Sequence, residues 1–219
     1  MYGRNLTNPW PESTSVSIAM GQPQKFLIPA HTSFILDTFP SASNALKNYT
    51  HDTGQFDLIL LDPPWHNKAV SRLKRKKHLS YNTMKDILSE LPPVGNWLAP
   101  GGIVGIWCTN NLNMINKIKT ILCKRWNVEL IAEWVWLKVF SYQQSQADRK
   151  VTSRGEPVVD LSSTFRKPYE ILLLARKSST TEPIAIPDRK VVIAVPTYHS
   201  QKPCLKGLLN RSQAKFRSV

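Results

Sequence analysis

The chain has 219 residues, of which 42% are hydrophobic, enough for one domain with an ordinary core and too many for a disordered polypeptide. Lysine and arginine number 29 against 15 acidic residues, a net charge of +14 that favours a polyanionic partner, nucleic acid first among them. No apolar run is long enough to span a bilayer, and neither an amphipathic basic helix nor a lipidation motif points to a membrane surface.

Residues 1–24 are rich in Ser, Thr, Pro and Asn and show no period, which predicts a flexible leader or the end of a larger amino-terminal region. The main domain is expected over 25–211, with an irregular tail at 212–219. Phe34-Ile35-Leu36-Asp37 is a short strand or turn, and 40–55 reads as turn-rich with a short helix at Asn44–Asn48. Phe56–Leu61 is a strand apolar enough to be buried on both faces. A polar loop, 66–80, leads to a helix over Thr83–Leu91 that Pro92-Pro93 closes.

Leu98-Ala99-Pro100-Gly101-Gly102 is a tight turn feeding a strand, Ile103–Cys108. Thr109 or Asn110 caps a helix reaching Lys124, with Leu112, Ile115, Ile118 and Leu122 at helical spacing. Val128–Val139 is a long strand and 141–163 a polar loop of the mobile kind. Pro168–Arg176 and Lys190–Val195 are two more strands, and Lys202–Asn210 is a final helix. Strands alternating with helices predict a Rossmann-like, doubly wound, mostly parallel α/β sheet.

Cys108, Cys123 and Cys204 are odd in number and far apart, so a reducing compartment is expected rather than a disulfide framework. No Cys/His spacing suits zinc, and the histidines are scattered, so no metal is expected. The start, Met1-Tyr2-Gly3-Arg4-Asn5, has no apolar signal core, which predicts an intracellular protein.

The chemistry concentrates where the strand Phe56–Leu61 stops, at Asp62-Pro63-Pro64-Trp65. This arrangement is well suited to holding a flat base by its exocyclic amino group. Asp62 accepts a hydrogen bond from an NH2 group. Pro63 has no N–H, so its carbonyl is a second acceptor without a donor beside it. Pro64 fixes φ and stiffens the turn. Trp65 offers a π-face for stacking, worth about 1–3 kcal/mol per base.

Phe56-Asp57-Leu58-Ile59-Leu60-Leu61-Asp62-Pro63-Pro64-Trp65 resembles motif IV of the amino-methyltransferases, in the form typical of the eukaryotic adenine-N6 methyltransferases. Three further stretches follow in that family's order and resemble the branch called methyltransferase-like protein 4. They are Ala132-Glu133-Trp134-Val135-Trp136-Leu137-Lys138, Phe165-Arg166-Lys167-Pro168-Tyr169-Glu170 and His199-Ser200-Gln201-Lys202-Pro203. The resemblance implies S-adenosylmethionine as methyl donor, a circularly permuted fold, and Asp62 and the Pro63 carbonyl gripping the target amine.

It also implies that Lys202 reaches the donor's carboxylate from a helix start, and that Asp37 lies on its adenine side. Asp62 would contact the donor's amino group as well. On the substrate side stand Trp65, Asn67 and the basic run Arg72, Lys74, Arg75, Lys76 and Lys77, which either grips phosphates or serves as a nuclear localisation signal. Trp134, Trp136 and Lys138 share one face of a strand and either line the base pocket or pack as core indoles with a snorkelling lysine. Tyr169 falls in a motif near the site, or is structural.

Relatives continue past the last helix into a cofactor-binding strand and ribose-binding loops, whereas this chain reads Leu208 to Val219 without them. The expectation is a sheet missing its last strand or strands, in a truncated form of an active enzyme. The expected function is methyl transfer to adenine N6 in RNA, notably 2′-O-methyladenosine of small nuclear RNA, ahead of DNA. Nucleus is the expected location, with the cytosol second. The alternative is a catalytically impaired or non-catalytic RNA-binding relative, and a small-molecule methyltransferase is disfavoured by the charge.

Overall fold

A computed structural model describes residues 4–20, 22–65, 88–141, 155–164, 166–178, 186–197 and 201–209. The basic run, Asn67, most of the helix expected at Thr83–Leu91 and the 212–219 tail lie outside the described residues. The chain divides into two compact units: one ends at Gln55 and takes in Glu90–Pro92, and the other starts at Phe56.

In the first unit, β1 (Arg4–Asn8) pairs antiparallel with β4 (Thr32–Leu36), and β2 (Thr14–Met20) with β3 (Gln22–Ile28). The predicted flexible leader is therefore corrected to strands. The signal was period two: Ser15, Val16, Ser17 and Ile18 alternate polar and β-branched residues, as a half-buried strand does. Asn8, 1% exposed, staples the loops together. Its Nδ2 donates to the carbonyls of Glu12 at 2.8 Å, Pro29 at 2.9 Å and Ile28 at 3.2 Å.

The turn-rich reading of 40–55 is corrected too, because α1 runs the full length of Phe39–Thr53. Pro40 sits in the first turn, where its missing N–H costs nothing. The hydroxyls that suggested turns bond back to the helix's own carbonyls instead, Ser43 to Phe39 at 2.8 Å and Thr53 to Tyr49 at 2.8 Å.

Among the described residues the second unit is built on a five-stranded sheet ordered β5-β6-β8-β7-β9. The strands are β5 (Phe56–Leu61), β6 (Leu98–Cys108), β7 (Val128–Lys138), β8 (Tyr169–Lys177) and β9 (Arg189–Ala194). The α/β expectation holds, with a mixed pairing: β5–β6 and β7–β9 are parallel, β6–β8 and β8–β7 antiparallel. The reversal arises because β7 is followed by a segment that folds back on it. Val158 N–H donates to the Lys138 carbonyl at 3.0 Å and Phe140 N–H to that of Glu156 at 2.9 Å, so the described end of the expected 141–163 loop is tied to β7.

Burial follows position in the sheet. Ile103, Val104, Ile106 and Trp107 of β6 and Ile171 to Ala175 of β8 are buried, because both strands are central. β5, expected to be buried on both faces, ends the order instead and exposes Leu60 by 45%. At the other end, β9 alternates and presents Val191 and Ile193 to solvent. The tight turn expected at 98–102 is a bulge inside β6: Phe56 pairs with Leu98 and Leu58 with Ile103, and Gly101 takes φ 77° in between.

The next helix starts one residue later than expected, where the Asn111 side chain accepts from Met114 N–H at 3.3 Å. It runs as α2 (Leu112–Lys117), a wide turn over Ile118–Leu122, and α3 (Cys123–Trp126). Its buried stripe is Met114, Ile115, Ile118, Leu122 and Trp126, and Leu112, placed on that stripe from spacing, is exposed. The final helix, α4 (Lys206–Leu209), is shorter than expected and does not contain Lys202. Pro203 is the reason, since a residue before proline is driven out of the helical region. Among the described residues no helix is long and apolar enough to cross a membrane.

Candidate active site

The site grows from the carboxyl end of β5. After Leu61 the chain leaves the strand, buries Pro63 and exposes Pro64. The Pro63 carbonyl accepts the Trp65 N–H at 2.8 Å, closing a three-residue turn. One of the two lone pairs of the Pro63 carbonyl oxygen is therefore already committed to Trp65. In the parallel register Leu61 lies against Ile106, which brings the motif alongside Trp107. There the Trp65 indole N–H donates to the Trp107 carbonyl at 2.6 Å, so the half-buried ring is held at a fixed orientation.

Asp62 stands at the head of a row of alternating charges. Its Oδ2 meets Lys202 Nζ at 3.2 Å, and the same ammonium reaches Glu170 Oε2 at 2.8 Å. The other Glu170 oxygen accepts from Lys138 Nζ. Beneath the row lie two indoles. Trp107 and Trp136 meet edge to face with centroids 6.0 Å apart; Lys138 Nζ is 4.7 Å from the Trp136 centroid and Lys202 Nζ 5.8 Å from that of Trp107.

The electrostatics follow from this packing. Burial pushes the Glu170 carboxyl up, but the hydrogen bonds and charges of Lys138 and Lys202 outweigh it, and the group sits below its ordinary value. Burial pulls Lys202 down, yet Glu170 and then Asp62 hold it above its ordinary value. The row is thus a fixed set of charges. Cys108 is no nucleophile: burial, with Glu133 and Asp62 adding to it against Lys119, pushes its thiol up to about 12. Among the described residues no group of three or more His, Cys, Asp and Glu side chains is placed to hold a metal.

The structure brings Asp62, Pro63, Trp65, Lys138 and Lys202 together from β5, β7 and the stretch before α4. Of the two readings of Trp136 the structure takes the core. The ring is 2% exposed and its N–H donates to the Ala194 carbonyl at 3.2 Å, so the expectation of a base-lining indole is corrected. Trp134 is likewise core, its N–H on the Pro187 carbonyl at 2.8 Å. Tyr169 opens β8, half-buried and paired with Leu137. Asp37 belongs to the first unit, where Oδ1 accepts the Thr38 N–H at 2.7 Å ahead of α1. Two participants escaped the sequence reading: Trp107 and Glu170. Glu170 carries a visible signal, a single acid in the otherwise apolar stretch Tyr169-Glu170-Ile171-Leu172-Leu173-Leu174-Ala175.

The residues present suit a zwitterionic amino-acid moiety of the kind S-adenosylmethionine carries. Lys202 has three N–H donors and uses two among the described residues, leaving one for a carboxylate. Asp62 Oδ1 has no partner among the described residues, which leaves an acceptor for an amine.

A Rossmann-like mixed sheet with an Asp-Pro-Pro-Trp turn at the end of a parallel strand defines an α/β fold of the methyltransferase class. The chain belongs to the MT-A70 family, whose model matches residues 56–218. Among its relatives, human "N(6)-adenine-specific methyltransferase METTL4" is 35% identical over 206 residues, 90% of this chain and 39% of that protein. "N6-methyladenosine RNA methyltransferase MTA1" of Cryphonectria parasitica is 35% identical over 172 residues, 77% of this chain and 47% of that one. "DNA N6-methyl methyltransferase" of Caenorhabditis elegans is 30% identical over 196 residues, 88% and 47% respectively. This chain spans less than half the length of these three relatives.

Proposed function

We propose that this chain carries the site of an S-adenosylmethionine-dependent methyltransferase acting on the exocyclic N6 amine of adenine in nucleic acid. The observation that carries the reading is Asp62: a carboxylate at a strand end, one oxygen held by Lys202, beside an indole locked in orientation by Trp107.

Adenine N6 is a weak nucleophile because its lone pair is delocalised into the ring. Asp62 Oδ1 and the remaining lone pair of the Pro63 carbonyl accept the two N–H groups and favour the pyramidal nitrogen whose lone pair is available. Trp65 holds the plane of the base. Lys202 takes the donor's carboxylate. When bound, S-adenosylmethionine supplies an electrophilic methyl group on a cationic sulfur. With the donor bound, the methyl would pass from the sulfonium to the N6 nitrogen held by Asp62 and Pro63, leaving a neutral thioether, and the displaced N6 proton would pass to solvent. Orientation and fixed charge supply the rate, with no covalent enzyme intermediate.

RNA is the proposed substrate, in the finer form a 2′-O-methylated adenosine of small nuclear RNA, and the nucleus the proposed place of action. Two relatives carry opposite names, one an RNA and one a DNA methyltransferase, and the net charge of +14 suits either polyanion. A single-stranded target spares the cost of flipping a base out of a duplex, which favours RNA.

The test is transfer of labelled methyl from S-adenosylmethionine to matched adenine-containing RNA and DNA strands, by this chain and by Asp62→Ala. Signal on RNA that exceeds DNA and vanishes in the variant is the expected result. Equal signals from the two proteins would remove the catalytic claim and leave a nucleic-acid-binding role.

A further inference from the structure

We infer that Glu170 is a positioning residue of this site, the anchor that holds Lys202 against Asp62. The inference rests on the methyltransferase reading for its consequence, but its geometry stands by itself.

Glu170 faces two cations at once, Lys138 on one oxygen and Lys202 at 2.8 Å on the other. Its main chain is held by a neighbouring strand: it sits on β8, opposite Trp136 of β7, and Lys138 lies two residues further along the same face. Lys202, by contrast, comes from a stretch with neither helix nor strand, four-carbon stem and all. Nothing in its own backbone fixes where its ammonium goes. Among the described residues the strand-borne anion that does so is Glu170, and Trp107 forms the floor below it.

Asp62 is the third member. Its side chain is 43% exposed, against 24% for Glu170 and 19% for Lys202, so the row runs from a rigid, half-buried end to an open one. The contact with Lys202 takes Oδ2, and Oδ1, without a partner among the described residues, is left for an incoming amine. Through Lys202, Glu170 thereby sets the direction in which Asp62 presents its other oxygen, without touching substrate. Lys138, expected to contact substrate, has the opposite duty: it balances Glu170, since a carboxylate facing Lys202 alone would pull it away from Asp62.

The experiment uses Glu170→Gln, which keeps the shape and removes the charge, with Glu170→Asp, Lys202→Met and the double variant Glu170→Gln/Lys202→Met. All are first checked by thermal melting. In the free protein, acylation of each lysine by an N-hydroxysuccinimide ester is followed by mass spectrometry. Glu170→Gln is expected to raise labelling of Lys202 about three- to tenfold by freeing the amine, with Glu170→Asp restoring most of the protection. Unchanged labelling of Lys202 overturns the inference.

Calorimetric titration with S-adenosylmethionine then reads the consequence. Glu170→Gln weakens binding by about tenfold in the wild-type background and not at all in Lys202→Met, because it acts through that lysine. Equal losses in both backgrounds would mark Glu170 as merely structural and overturn the inference. Absence of binding by the wild-type chain defeats the functional reading instead, and the labelling result decides Glu170 by itself.

Discussion

The indole nitrogen of Trp65 donates to the main-chain carbonyl of Trp107 across 2.6 Å, which ties the turn after β5 to the neighbouring strand β6. The bond separates two duties of one side chain, orientation and stacking. Trp65→Phe keeps an aromatic face and loses the donor, so it should cost about 1 kcal/mol of stability and a modest part of the activity. Trp65→Ala removes the face as well and should lower kcat/KM on an adenine-containing strand by roughly ten- to hundredfold. Steady-state kinetics beside melting curves check both, and equal activities for the two variants would refute the stacking role.

The charge row makes stability depend on pH at both ends. Glu170 is held below its ordinary value of 4.5, so its contribution is present above that pH and is lost as pH falls through the lowered value. Lys202 is held above its ordinary 10.5, so its contribution is present below that pH and is lost as pH rises through the raised value. Tm plotted against pH should therefore fall at the acid and the alkaline extremes. Glu170→Gln should flatten the acid limb and shrink the alkaline one; an unaltered profile would show that the row contributes nothing.

Two glycines separate a hard contact from a soft one. A Cβ on Gly95 would run into the main-chain carbonyl of Trp126, which no side-chain motion relieves. Gly95→Ala should cost about 3 kcal/mol. A Cβ on Gly105 would come within 2.6 Å of Leu60 Cδ2 and 3.2 Å of Leu174 Cδ2, both side-chain tips, and Leu60 is 45% exposed. Gly105→Ala should cost less, since side chains can shift where a carbonyl cannot, and urea denaturation of both variants ranks them.

Trp136 is predicted to matter for stability alone. Trp136→Phe loses the hydrogen bond to Ala194 and part of the core volume, about 2 kcal/mol together. KM for the nucleic-acid strand should stay unchanged. A raised KM with an unaltered Tm would return Trp136 to the substrate pocket.

From the chain alone came the place of Asp62 to Trp65 at the end of a strand, the bounds of β5, and β7, β8 and β9 to within a residue or two. All depend on residues close in sequence: apolar runs, β-branched content, prolines and a carboxylate where a strand stops. Ser/Thr stretches were misread at β2 and α1 because hydroxyls stabilise turns, strands and helices alike, and only the partners available in three dimensions choose among them. Folding alone also turned Trp136 inward, placed β8 antiparallel between β6 and β7, and set Glu170 between Lys138 and Lys202. Those outcomes depend on strand register and on ion pairs between residues far apart in the chain, 32 positions for Lys138 and Glu170, and local pattern carries no record of either.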